Sequence, residues 1–212
     1  TIACSVNPAI AQVIPDSTLG EESSTVTSRE PNTETIDGGA IRGANLFHSF
    51  QEFNVGEGRS VYFSNPTGIA NILSRVTGTN PSEILGKLGV LGNADLFLIN
   101  PNGIIFGADS SLDLRGSFIA TTATSINFAD GSQFNTLGDR SQPLLTISIP
   151  IGLQFGQNPG KIINRSIAVD LTGLISGLQI DPGKTIALVG GDVVLEGGAI
   201  TSNGGKIEIG SV

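Results

Sequence analysis

Along the second half of the chain, apolar residues recur at every second position. Leu178 and Ile180, Ile186 and Leu188, Val193 and Leu195, and Ile207 and Ile209 each skip one residue, and the skipped positions include Gln179, Ala187, Val194 and Glu208. Period two is the signature of a strand with one buried face; a helix would repeat near 3.6. These short runs are divided by Asp181-Pro182-Gly183, Gly190-Gly191 and Asn203-Gly204-Gly205, all of which favour tight turns. The pattern predicts many strands of three to five residues.

The strands also repeat. Shifting the chain by about 21 residues lays Phe97-Leu98-Ile99-Asn100 on Phe118-Ile119-Ala120-Thr121, Ile105 on Ile126, and Ala108-Asp109 on Ala129-Asp130. The same shift lays Gly183 on Gly204, Ile186 on Ile207 and Leu188 on Ile209. A unit of this length holds three short strands and closes only by stacking on the next unit. The expected fold is therefore all-β, a parallel β-helix of about 21 residues per coil, with Phe97 over Phe118 in an inner ladder and right-handed coils favoured by connection rules. A propeller blade is about twice as long, and a sandwich would not repeat at this interval.

Two regions depart from the rhythm. Leu145, Ile147, Ile149, Ile151, Leu153 and Phe155 alternate over eleven residues, too long for one strand of a coil, and Pro150 lacks a ladder N–H. This stretch is expected at a sheet edge or in an extra-helical excursion. Residues 12–60 show no clear repeat and are expected to cap the first coil, whose unpaired edge would otherwise invite aggregation. Residues 61–212 are then the coils with their extra-helical strands, one domain with 12–60.

Composition agrees with this reading. Glycine fills 29 of 212 positions and charged residues only 14 %, which suits strands and turns better than long helices. A hydrophobic share of 39 % in an alternating pattern argues against disorder. The net charge of −8 offers no basic stripe to nucleic acid. With no methionine, the chain is expected to be a piece of a longer precursor. Its Ala9-Ile10-Ala11 triplet reads as the cleavage site ending a signal-peptide remnant over residues 1–11. Cleavage there would remove Cys4, the one cysteine, and no stretch reaches the length of a transmembrane helix.

Three stretches carry a resemblance: Asn45-Leu46-Phe47-His48-Ser49-Phe50-Gln51-Glu52-Phe53-Asn54-Val55, Asn65 to Gly78, and Asn100-Pro101-Asn102-Gly103-Ile104-Ile105-Phe106-Gly107. In order and spacing they resemble the N-terminal secretion domain of filamentous haemagglutinin-type proteins, the exported partner of two-partner secretion, and the wording particularly resembles cyanobacterial members. The resemblance implies a β-helix with a cap and extra-helical strands. It also implies recognition in the periplasm by an outer-membrane TpsB-type β-barrel transporter through its periplasmic domains, with folding outside the cell seeding that of downstream repeats. The product would be secreted or held at the cell surface. Of the family's hallmark motifs, Asn-Pro-Asn-Gly-Ile stands intact at Asn100, Pro101, Asn102, Gly103 and Ile104. Asn-Pro-Asn-Leu is represented by Asn65-Pro66-Thr67-Gly68, which departs at its last two positions. Asn71 and Arg75 lie within the second stretch and join these as candidate recognition or structural residues.

Read physically, Asn-Pro fixes an extended residue before a preset φ, and Asn-Gly accepts positive φ, so each motif is a tight turn. Whether such turns touch a transporter or only shape a coil is left open by the residues themselves. Little else suggests chemistry. His48 is the sole histidine and sits in an apolar run, which favours a structural role. Gly86 to Gly92 only loosely resembles a phosphate loop and reads as a turn. Asp109 and Asp130 are the best stacked carboxylate pair for a glycan-cleaving β-helix, but both sit in turn sequences where Asp bonds its own backbone. No enzyme activity, cofactor or metal is expected. The alternative function is an adhesive module binding glycan or a host or matrix surface.

Overall fold

In the computed structural model the described residues are 13–136 and 145–212, which form strands and turns without a helix. The proposed cleavage site after Ala11 lies outside them. Most strands stack in parallel into a three-faced β-helix. The long face carries Asn45–Phe53, Asn71–Val76, Asp95–Ile99, Phe118–Thr121, Thr185–Gly190 and Lys206–Ser211 in spatial order. A narrow face stacks Ser82–Ile84, Ile104–Phe106, Ile162–Asn164 and Val193–Leu195. The third face stacks Thr33–Gly38, Ser60–Ser64, Lys87–Leu91 and Ser111–Asp113, and the later pair Leu178–Ile180 and Ile200–Ser202 forms a separate two-stranded sheet. Lys87–Leu91, expected as a turn, is thus a strand; its Gly86 and Gly92 mark the corners.

Equivalent inward positions on the long face are Leu46, Ile72, Leu96, Phe118, Ile186 and Ile207. Successive coils therefore advance by 26, 24, 22, 68 and 21 residues. The terminal coils keep the expected step of 21, with Ile186 beside Ile207 and Leu188 beside Ile209. The expected pairing of Phe97 with Phe118 is off by one: Leu96 lies beside Phe118 and Phe97 beside Ile119. A slip of one residue reverses the face of every side chain. Phe97 thus points outward, while Leu96, Leu98 and Phe118 fill the interior.

The interval of 68 arises because the chain leaves the helix after Phe118–Thr121 and returns at Ile162–Asn164. In between, Ser125–Phe128 is flanked by Gln133–Asn135 and Pro150–Gln154 in an antiparallel sheet. Ile126 and Asp130 therefore do not stack on Ile105 and Asp109, as the shift had suggested. The alternating stretch with Pro150 does form an edge strand of this excursion, as its length predicts. A second, smaller excursion over 166–177 is pinched by a Val169–Ile175 bridge.

Around the N-terminal end, Val13–Pro15 and Ala40–Arg42 pair antiparallel to Asn45–Phe53, and Ser24–Glu30 pairs antiparallel to Thr33–Gly38. Parallel stacking already begins at Thr33–Gly38 against Ser60–Ser64, so the first coil lies within the stretch expected to be cap. Two cores result. One fills the helix from Leu46 to Leu188, and the other lies outside the long face, where Phe47, Leu73 and Ile99 meet Phe128 and Phe134 of the excursion. Phe47 contacts both rings, with centroids 6.0 and 5.0 Å away.

Because Phe118 is fully buried in the inner ladder, Phe118→Ala is expected to cost about 3–5 kcal/mol in chemical denaturation. Leu171→Ser, on the exposed tip of the small excursion, should stay within about 0.5 kcal/mol of the parent.

Candidate functional site

The two Asn-Pro turns occupy opposite ends of the long face. Asn65 to Ile69 turns the chain from the third face into Asn71–Val76, whereas Asn100 to Gly103 turns it from Asp95–Ile99 into the narrow face. A strand of about five residues separates the two corners, which at about 3.3 Å per residue places them roughly 17 Å apart. They are not one compact site.

The second turn is locked from all sides. Asn100 is fully buried. Its Nδ2 donates to Asn80 O and Ser82 Oγ, each at 3.0 Å, reaching the preceding coil. Its Oδ1 accepts from Asn102 N and Asn102 Nδ2, again at 3.0 Å. The Gly103 N–H closes the turn on Asn100 O at 3.1 Å, and Asn102 Nδ2 donates to Gly78 O at 2.9 Å. From the following coil, Gly160 N donates to Pro101 O at 2.9 Å and Lys161 O accepts from Ile104 N at 3.0 Å. Gly103 has φ +127°, and a Cβ on Gly160 would come within 2.4 Å of the Asn102 carbonyl carbon, so the coils touch here backbone to backbone. Ile104 is buried in the interior. Of this motif only Asn102 is well exposed.

The first turn is open. Pro66, Thr67 and Gly68 are exposed, with Gly68 at φ +88° and Ile69 N donating to Pro66 O at 3.2 Å. Asn65 anchors it: Oδ1 accepts from Asn93 N at 2.9 Å and Ala94 N at 3.2 Å of the next coil, and Nδ2 donates to Ile69 O.

Asn71 and Arg75 lie on the strand between. Asn71 Nδ2 donates to Asn45 Oδ1 at 2.9 Å, and Asn45 Nδ2 in turn donates to Thr146 O and Ser148 O of the excursion. Arg75 faces outward yet is fully buried under the extra-helical sheet. Its Nε donates to Ser49 Oγ at 2.9 Å, Nη1 to Asn135 O at 2.6 Å, and Nη2 to Thr18 O at 3.0 Å and Thr18 Oγ1 at 2.8 Å. The guanidinium also lies 4.5 Å from the Phe134 ring centre, within cation–π range. Asp16 completes the network, accepting from Ser49 Oγ at 2.9 Å, Thr77 Oγ1 at 2.5 Å, and Thr18. Burial works to raise the Asp16 pKa, but hydrogen bonds from Thr77, Thr18 and Ser49 outweigh it and hold the carboxyl below its ordinary value.

Arg75 therefore joins three parts that are distant in sequence: the cap through Thr18, the first coil through Ser49 and the excursion through Asn135. Asp16, Thr18 and Asn135 were not singled out from the sequence, and Asn45 and Ser49 entered only as part of the first resembling stretch and not as site candidates, although Asp16-Ser17-Thr18 carries a local Asx-turn signal. Asp109 and Asp130 are not brought together: Asp130 caps its own turn through Ser132 N and Oγ. No helix of the described residues is long and apolar enough to cross a membrane.

These observations define a class: a capped, three-faced β-helix whose asparagine-rich corners and buried arginine tie an extra-helical sheet to its longest face. The TPS secretion domain family matches residues 11–212, and the chain belongs to that family. It is 34 % identical over 121 residues to filamentous hemagglutinin of Bordetella pertussis, covering 57 % of this chain and 3 % of that protein. It is 33 % identical over 105 residues to a heme/hemopexin-binding protein of Haemophilus influenzae, covering 50 % and 10 %. The chain thus spans a tenth or less of these relatives. The crystal structure of the HMW1 secretion domain from Haemophilus influenzae superposes with a TM-score of 0.62 at 21 % identity, over 94 % of this chain and 45 % of that one. The chain is a secretion domain of a two-partner secretion exoprotein, of the kind exported to the cell surface or beyond.

Removing the Arg75 side chain takes away the guanidinium hydrogen bonds to the carbonyls of Thr18 and Asn135 and to the hydroxyls of Thr18 and Ser49. Arg75→Ala is expected to cost about 2–4 kcal/mol in urea unfolding, because hydrogen bonds from a charged donor to buried neutral groups are lost, with amide exchange rising first in the Gln133–Asn135 strand.

Proposed function

We propose that this domain is the export label of a longer exoprotein. It is recognised by a TpsB-type outer-membrane transporter through that transporter's periplasmic domains, and once outside it is the template on which downstream repeats continue the β-helix. The carrying observation is the unequal burial of the two Asn-Pro turns. Asn100 and Arg75 are closed off in the folded domain, so a partner that meets the domain folded reaches neither, and in that state their contribution to export runs through the fold. Pro66, Thr67 and Gly68 stand free at a corner whose geometry Asn65 maintains, and this turn, with Asn102, is the motif surface that a partner can reach.

The test pairs two substitutions. Thr67→Glu is expected to weaken binding to purified periplasmic domains at least tenfold and to reduce export while leaving the melting temperature unchanged. Asn100→Ala is expected to lower melting temperature and export together, since Ser82 and Asn102 lose their buried partner. Normal export of both variants in cells carrying the cognate transporter would defeat the reading.

A further inference from the structure

His48 lies on the inward row of the long face, between Leu46 and Phe50, and is fully buried. Its Nδ1 is 2.9 Å from Ser24 Oγ, while its Nε2 has no hydrogen-bond partner in the protein. The ring stacks on Phe50 at 6.1 Å and tilts against Phe63 at 5.3 Å. On its remaining side the chain runs so close that a Cβ on Gly39 would fall 2.8 Å from the imidazole. Ser24 opens the outermost cap strand, and its Oγ also accepts from Ser49 N at 3.4 Å. Cap and first coil therefore meet at this imidazole.

The surroundings offer a charged ring little help. Strand Ser24–Glu30 presents Ser24, strand Ser60–Ser64 presents Phe63, and strand Asn71–Val76 presents Ser74, whose Oγ is likewise buried without a protein partner. Strand Thr33–Gly38 supplies Asp37, which accepts from the hydroxyls of Ser64 and Thr27. The other carboxylate of that strand, Glu34, is held by Arg59 at 3.0 Å.

We propose that His48 is a proton-operated latch between the N-terminal cap and the first coil. The neutral imidazole fits the closed cap. An imidazolium carries two N–H donors and a charge into a phenylalanine-lined interior where one hydroxyl, that of Ser24, is hydrogen-bonded to the ring, so proton uptake is accommodated by lifting the cap from the coil and admitting water.

The sign follows from the same geometry. Burial pushes the His48 pKa down to about 3, against a weaker opposing pull from Asp37, while the ordinary value is 6.5. A depressed folded-state pKa stabilises the closed form above about 6.5, and this contribution drains away as pH falls from there toward about 3. Each pH unit in that window favours the open form about tenfold, so lowering pH from 7 to 5 shifts the equilibrium by roughly 20- to 30-fold. Most carboxylates remain ionised over that interval.

Hydrogen exchange on the 212-residue chain at pH 7 and 5, corrected for intrinsic rates, reads this directly. The opening equilibrium is expected to rise about 20- to 30-fold for amides of Ser24–Glu30 and Thr33–Gly38, and to change little for Asp95–Ile99. In His48→Gln, whose amide can still meet Ser24 but takes up no proton, that rise should vanish. An equal rise in the variant, or a rise spread evenly over all coils, would overturn the latch. If the variant does not fold, NMR titration of the sole histidine of the unmodified protein decides: a ring neutral down to pH 4 in the folded state supports the proposal, and a midpoint near 6.5 refutes it.

Discussion

Each coil of this domain is completed only by its neighbours. A strand of three to six residues cannot satisfy its backbone or bury one face alone, so the ladder Leu46–Ile72–Leu96–Phe118–Ile186 is the constraint that everything else obeys. The ladder fixes which residues point inward, and the corners must then turn without disturbing its spacing of about 4.8 Å. At the Asn100 corner this leaves space for backbone alone. That is why Gly160 lies directly on Asn102 and Gly103, and why Asn100 spends its side chain on amides and carbonyls of its own and the preceding coil.

The long face is buried twice, inward by the helix core and outward by the extra-helical sheet. A sheet covered on both sides reads as nearly continuous apolar sequence, as in Leu46-Phe47 and Leu96-Phe97-Leu98-Ile99. Such a surface holds its cover by area alone and specifies little about where the cover sits. Arg75 and Asn45 supply the missing register. Each must find particular carbonyls of the cap or the excursion, and a shifted cover would leave a buried guanidinium or amide unpaired at a cost of several kcal/mol. The polar groups beneath the cover thus select one docking among many apolar ones.

What was legible in the sequence follows from this hierarchy. Period-two alternation and turn residues are local, so the strands, the β-helix and the excursion around Pro150 were readable. The step between coils was readable only where no insertion intervened, as from Ile186 to Ile207. Around Phe97 a step of 21 and one of 22 match apolar residues almost equally well, because both faces are buried, and the wrong one pairs Phe97 with Phe118. The Arg75 network was invisible for a different reason: its partners Thr18 and Asn135 stand 57 and 60 residues away, and the excursion carbonyls that Asn45 binds more than a hundred. Nothing local marks a hydrogen bond of that span.

The two Asn-Pro motifs show how one local rule serves two ends. Both make tight turns for the same stereochemical reason, and both use the leading asparagine to grip a neighbouring coil. They differ in what lies over them. The Asn100 corner is overlaid by Gly160 and Lys161 where the chain re-enters the helix, so its side chains close into the fold. The Asn65 corner is held to the next coil through the Asn65 side chain and to the core through Ile69, and its tip at Pro66 to Gly68 remains in solvent. A motif's sequence therefore dictates its turn, whereas its availability to a partner is decided by the path of the next coil. The pair of turns thus divides one motif between a closed corner that serves the stack and an open one that stays in contact with solvent, without separate modules.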